Sequence, residues 1–148
     1  MSEQIRFYFD PLCPWCYQTS RWARRLDELG VVDVEWRVFS LGIVNRGDEG
    51  RTDADAWSAP SLRTAIAVRA AHGNAAVGAY YSALSDAIHQ RGAKVTESQV
   101  IEAALVEAGL DAGWREQAVA DPERWSDVQR GHEGTVDVTQ TVGVPGRW

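Results

Sequence analysis

No apolar run in the 148-residue chain approaches the ~18 residues of a membrane span. The N-terminus, MSEQIRFYFD, lacks the basic and then apolar stretches of a secretory leader. A polar start runs directly into a strand-like segment, which points to a cytoplasmic protein. Positive charge is also short: 15 Lys and Arg face 21 Asp and Glu, giving a net charge of −6 and a pI near 5.0. Nucleic-acid binding usually demands a basic face, so that class is disfavoured. Cysteine is scarce. Two residues are too few for a disulfide scaffold, and a cytosolic address keeps thiols reduced at rest. There is no second CxxC to complete a four-cysteine zinc site, and no dinucleotide-binding glycine fingerprint. Repeats, low-complexity tracts and a Pro/Ser/Gly linker are missing too, so one domain is the simplest organisation. What remains is an ordinary globular composition, 45% hydrophobic and 24% charged, with a high count of seven tryptophans.

Residues 5–10, IRFYFD, alternate and then carry aromatics, which fits a strand stopped by Pro11. From Pro14, PWCYQTSRWARRLDELG has helical spacing, with Trp15, Trp22, Leu26 and Leu29 able to share one face and Gly30 closing the helix. VVDVEWRVFSL follows as a second strand in which Val34, Trp36 and Val38 alternate with Glu35 and Arg37. A β-α-β order this short predicts two parallel strands joined by a right-handed crossover. Residues 42–58 are rich in Gly, Asp and Arg and read as a loop or lid. Beyond Pro60 the pattern is helical: SLRTAIAVRAAHG to Gly73, a second helix to Gly92, and a third opened by a Thr96 capping box. A short helix over 112–120 and one capped by Asp121 with Pro122 at its first turn complete the block. TVDVTQTVGVP is a β-prone tail. The expected domain is therefore single, with a helical insertion over 59–135 set on a core of 1–41 and 136–148. Most of the tryptophans are expected in the core, with Trp57, near the loop, less bound to it.

The chemistry concentrates in CPWC. It follows a strand and opens a helix, so Cys13 falls at the N-cap and Pro14 at the first helical position, where its missing N–H costs nothing. Free N–H groups and about half a positive charge at the helix start stabilise a thiolate. Cys13 is thereby the attacking sulfur, and Cys16, one turn in and expected to be more buried, resolves the mixed disulfide. Two other uses compete with this one. Zinc would need His72, His89 or His132 as further ligands, and none has finger spacing. A purely structural disulfide at this spacing closes almost no loop. Trp15 serves either as a stacking platform or as a ring folded on the local core. His89, at the end of its helix, is either a charge favoured by the helix dipole or a polar group facing the cysteines; His72 keeps the first reading, and His132 gives no signal. Asn45 reads equally as a turn residue. Val144-Pro145 would suit substrate docking if its peptide bond were cis, a form that X-Pro bonds adopt about one time in twenty.

FDPLCPWCYQTSRW, SLGIVN, RTAIAVRAAHG, YYSALSDAIHQRG and TVGVP resemble the actinobacterial mycothiol-dependent nitroreductase group, within the DsbA-like branch of the thioredoxin superfamily. The likeness covers nearly the whole chain. Kappa-class glutathione transferases and 2-hydroxychromene-2-carboxylate isomerases share the wider family but usually lack the CxxC. The resemblance implies an α/β, thioredoxin-like core with a helical insertion, and a cytosolic thiol-disulfide oxidoreductase acting on disulfides, protein disulfides among them, or on electrophilic small molecules. Cys13 matches the family nucleophile and Cys16 the resolving thiol. Pro145 matches the cis-proline, and Pro14, Trp15, Asn45, His89 and Val144 join it as substrate-binding candidates. No bound cofactor or metal is implied; mycothiol or glutathione would be the co-substrate that recycles the disulfide. In the family two strands and a final helix follow the proline, which a Thr usually succeeds, whereas here the chain ends at Gly146-Arg147-Trp148. The last two strands and helix are therefore expected to be missing, leaving an unpaired sheet edge and an uncovered apolar face. A catalytically impaired relative, or a chain completed by a partner (a homodimer included), is the alternative to an active enzyme.

Overall fold

The structure, a computed structural model, describes residues 3–139. Strand β1 (Glu3–Phe9), helix α1 (Pro14–Glu28) and strand β2 (Val32–Val38) form the βαβ unit, with the strands parallel in a register running from Glu3 opposite Val32 to Phe9 opposite Val38. Phe39 N–H donates to Phe9 O at 3.0 Å and carries the ladder one step further. Gly30 takes φ +74 just past the end of α1, the left-handed stop its position predicts.

Helix α1 docks by a different face from the expected one. Cys16, Tyr17, Ser20 and Ala23 are buried, while Trp15, Trp22 and Leu29 are exposed; Leu26 alone of the predicted set packs on the core. Small side chains let the helix lie close to its neighbours, and Ser20 can be buried because its hydroxyl donates to Tyr17 O at 2.7 Å. Apolarity and burial part company on this helix.

The segment expected as a loop contains two short helices, α2 (Leu41–Arg46) and α3 (Asp48–Thr52). Ser40 starts α2 by accepting the Ile43 N–H at 3.2 Å. Gly50 lies so close to Gly42 that a Cβ would sit 2.2 Å from the Gly42 carbonyl oxygen, so glycine is required for the two helices to meet. Residues 53–58 stay irregular.

Helices α4 (Ala59–His72), α5 (Asn74–Arg91), α6 (Ser98–Glu107), α7 (Gly113–Ala120) and α8 (Pro122–Thr139) make the helical block. The Thr96 capping box does not form: α6 starts with Glu97 as its cap and has no side-chain cap bond, one residue out of register. Asp121 does cap α8, accepting the Glu123 N–H at 3.0 Å. Residues 135–139, expected within a β-prone tail, continue α8, since extending a formed helix adds a bond per residue whatever the local strand preference. Val144 and Pro145 lie outside the described residues.

The core gathers where the sheet meets α4, α5 and α6: Phe9, Val34, Trp36 and Val38 pack with Leu62, Val68, Tyr80, Tyr81, Leu84, Ile101 and Leu105. Gly78 admits Trp36, because a Cβ there would lie 2.4 Å from the indole Nε1. Among the described residues Trp36 is the tryptophan buried fully as expected; Trp114 and Trp125 are partly buried, Trp15, Trp22 and Trp57 are exposed, and Trp148 lies outside the described residues. The outer edge of β2 is closed by side chains. Asn74 accepts from Trp36 N and donates to Val34 O, both at 2.7 Å, and Arg69 Nη1 donates to Trp36 O at 2.8 Å. This replaces a neighbouring strand. Among the described residues β1 has no strand on its other side. No described helix is long and apolar enough to cross a membrane.

Candidate active site

The turn after β1 is organised by Asp10, which the sequence reading did not single out. Its side chain is fully buried. Oδ1 accepts the Leu12 N–H at 2.9 Å; Oδ2 accepts the Leu41 N–H at 2.8 Å and the Ser58 hydroxyl at 2.7 Å. One carboxyl group thus joins the CPWC turn to the start of α2 and the start of α4. Burial raises its pKa, and the three hydrogen bonds pull against that rise. The Asp10 carbonyl also accepts the Cys13 N–H at 2.9 Å.

Cys13 is the N-cap of α1, with extended φ −78 and ψ 112, and its Sγ accepts the Cys16 N–H at 3.3 Å. Pro14 occupies the first turn. Both cysteines are free thiols. They are 1% and 3% exposed, so the surface does not distinguish them, while Cys16 lies the deeper of the two, as expected. Hydrogen bonding separates them further. The Cys16 thiol brings the Cys13 pKa down to about 7 against the effect of burial, helped by the Cys16 and Trp15 N–H groups and opposed by Asp10. The same hydrogen bond, together with burial, holds Cys16 well above the ordinary thiol range. Cys16 Sγ also lies 3.8 Å from Tyr8 O. Phe39 and Leu41 pack around the pair.

Trp15 stands between the cysteines and is 61% exposed. His89 meets the turn rather than the sulfurs: Nε2 donates to Pro11 O at 2.8 Å, and the ring stacks on Tyr17 with centroids 5.0 Å apart. Gln90 bonds the Tyr17 hydroxyl beside it. Asn45 is exposed on α2, a helix rather than a turn. His72 is exposed and meets the edge of Trp114. His132, silent in the sequence, is buried against α2: its Nδ1 accepts the Ser40 N–H at 3.0 Å, and burial lowers its pKa to about 4. Among the described residues, no three His, Cys, Asp or Glu side chains converge to hold an ion.

The arrangement can poise one thiolate and keep its neighbour protonated. The family model of Rv2466c-like proteins, described by the mycothiol-dependent nitroreductase Rv2466c, matches residues 12–146. The chain belongs to this family. It is 31% identical over 144 residues to the uncharacterised protein Rv2286c of Mycobacterium tuberculosis, covering 95% of this chain and 62% of that one. The chain therefore spans less than two thirds of the length of this relative. Two solved structures share its thioredoxin-like fold. One is a Nitrosomonas europaea protein assigned as a protein disulfide isomerase (TM-score 0.70, 13% identity, 98% of this chain and 83% of that one). The other is the cytosolic disulfide reductase DsbM of Pseudomonas aeruginosa, solved with GSH (TM-score 0.68, 17% identity, 96% and 83%).

Proposed function

We propose that this chain is a thiol–disulfide oxidoreductase. The observation that carries the reading is Cys13 Sγ at the N-cap of α1, accepting the Cys16 N–H. The Cys13 thiolate attacks one sulfur of a substrate disulfide. A Cys13–substrate S–S bond forms, the substrate S–S bond breaks, and the leaving thiolate takes a proton from solvent. Cys16 then loses its proton and attacks Cys13 Sγ, which forms the Cys13–Cys16 disulfide and releases the second thiol. Two electrons have passed from the protein dithiol to the substrate. Pro14 frees the first turn from a backbone donor requirement, and His89 and Asp10 hold the turn that carries Cys13.

Two equivalents of a low-molecular-weight thiol would return the disulfide to the dithiol, themselves joining as a disulfide. The family points to mycothiol, and the DsbM structure with GSH supports a thiol of that kind. A cytosolic setting suits a dithiol kept reduced between turnovers. Small disulfides are the primary substrate class, and electrophilic small molecules the second. The test is exchange by the purified dithiol with a small disulfide. The account expects two thiols released per protein, Cys13→Ser releasing none, and Cys16→Ser stopping at a mixed disulfide on Cys13. Exchange by Cys13→Ser would overturn the assignment of the nucleophile.

A further inference from the structure

The irregular segment 53–58 is held at both ends by buried groups. At its start Arg63, 4% exposed, donates from Nη1 to Ala54 O at 3.0 Å and to Asp55 Oδ1 at 3.1 Å. At its end the Ser58 hydroxyl is bound to Asp10. Between these ties Trp57 adopts φ +56, the one positive φ of a non-glycine residue among the described residues. A bulky side chain is strained in this left-handed region, and such strain persists only where the surroundings over-determine it. The core does not require the ring, since Trp57 is 39% exposed. The two ties therefore hold an indole at the surface.

Two separate paths link Trp57 to the turn that carries the dithiol. The first follows the chain: Trp57 precedes Ser58, Ser58 bonds Asp10, and the Asp10 carbonyl accepts the Cys13 N–H. The second crosses space. A Cβ on Gly42 would lie 3.8 Å from Trp57 Cε3, and the adjacent Leu41 packs against the cluster that Cys13, Cys16 and Phe39 form. The Arg46 guanidinium stands 5.5 Å from the indole centroid, with its charge shared by Asp53 at 3.3 Å. The cation helps to fix the ring, and an indole stacks on another flat ring in offset geometry.

We propose that Trp57 is a specificity-determining residue whose indole stacks on a flat ring carried by the disulfide substrate. The inference rests on the exchange chemistry at Cys13 and adds the substrate class: ring-bearing disulfides are favoured over aliphatic ones. In the exchange step Cys13 takes up half of the disulfide and expels the other half as a thiolate. Cys16 then expels the second, so one aromatic disulfide yields two aromatic thiolates and an oxidised protein.

The test compares the reduced protein on 5,5′-dithiobis(2-nitrobenzoate) and on 2-hydroxyethyl disulfide, as a ratio of second-order rates. Trp57→Gly removes the ring and accepts φ +56 without strain; Trp57→Asn removes the ring and also tolerates this conformation, so a folded ringless variant is at hand. Both are expected to lose about tenfold of the aromatic-to-aliphatic ratio, the size of one stacking contact. Trp57→Phe is expected to keep most of it. An equal change on both disulfides, or no change on either, would overturn the proposal. A wild-type protein inert to both would overturn the exchange chemistry beneath it, and the proposal with it.

Discussion

Two carboxylates, one on β2 and one in the turn just past β1, are treated in opposite ways. Glu35, midway along β2, is surrounded by guanidinium groups: it pairs with Arg37, with Arg69 at 3.2 Å and with Arg6 at 3.3 Å. Burial alone would raise its pKa, but the Arg37 hydrogen bond and then the charges of Arg37, Arg69 and Arg6 outweigh it and hold it low. Asp10, at the end of β1, is fully buried and bonded to two backbone N–H groups and one hydroxyl, and its pKa is raised. The first arrangement closes and decorates a sheet edge. The second buries an acid beside two thiols, at a cost in desolvation that the fold bears at the dithiol turn and not on the β2 edge. Charge pairing accounts for the Glu35 cluster, whereas Asp10 is held by neutral donors alone, and the place where an acid is buried without a cation is the candidate site.

The largest expected effect on this contrast comes at the dithiol itself. Cys13→Ser should reduce disulfide exchange to background with little change in thermal midpoint, while Glu35→Gln leaves exchange intact. Next in size is Asp10→Ala. It strands the Leu12 and Leu41 N–H groups and the Ser58 hydroxyl in the interior, which should cost about 2–4 kcal/mol in denaturant unfolding. It should also shift the pH profile of Cys13 alkylation downward, since the Asp10 charge raises the Cys13 pKa. Asn74→Ala removes both side-chain bonds to the β2 edge and should cost about 1–3 kcal/mol, with no shift in that profile. Glu35→Gln, at a half-exposed network, should cost at most about 1 kcal/mol.

Acid separates the two carboxylates further. Glu35 has a folded pKa below its unfolded value, so its contribution is present above the unfolded pKa and is lost as pH falls through the folded one. Asp10 has the reverse sign: its ionised form is disfavoured in the fold, so protonation near its raised pKa relieves the native state. His132 adds an acid limb of its own. Its folded pKa of about 4 lies below the ordinary 6.5, so the unfolded chain binds the proton first and stability declines as pH drops from 6.5 toward 4. In equilibrium unfolding, His132→Gln should flatten that decline; an unchanged slope between those values would remove His132 from the account.

What the sequence makes legible is what neighbouring residues decide. The strand–helix placement of CPWC depends on a run of aromatics, a proline and a cysteine with N-cap geometry, all within ten residues. The stops at Gly30, Gly73 and Gly92 depend on one residue each, and all three take positive φ. Asp10 was illegible because two of its three partners lie 31 and 48 residues away. His132 meets Ser40 across 92 residues. The docking face of α1 was misread because hydrophobicity marked Trp15 and Trp22, while packing selected small Ser20 and Ala23. The helices over 41–52 were hidden by glycines that read as loop residues, one of which, Gly50, exists to let two backbones touch.

The central claim is that the fold separates two chemically identical thiols. Its most direct test is the pH dependence of alkylation at each cysteine of the reduced protein, resolved by mass spectrometry. The account predicts that Cys13 reacts with a midpoint at about pH 7 and that Cys16 stays unreactive beyond it. Equal reactivity of the two, with midpoints near the ordinary thiol value of about 8.5, would contradict it.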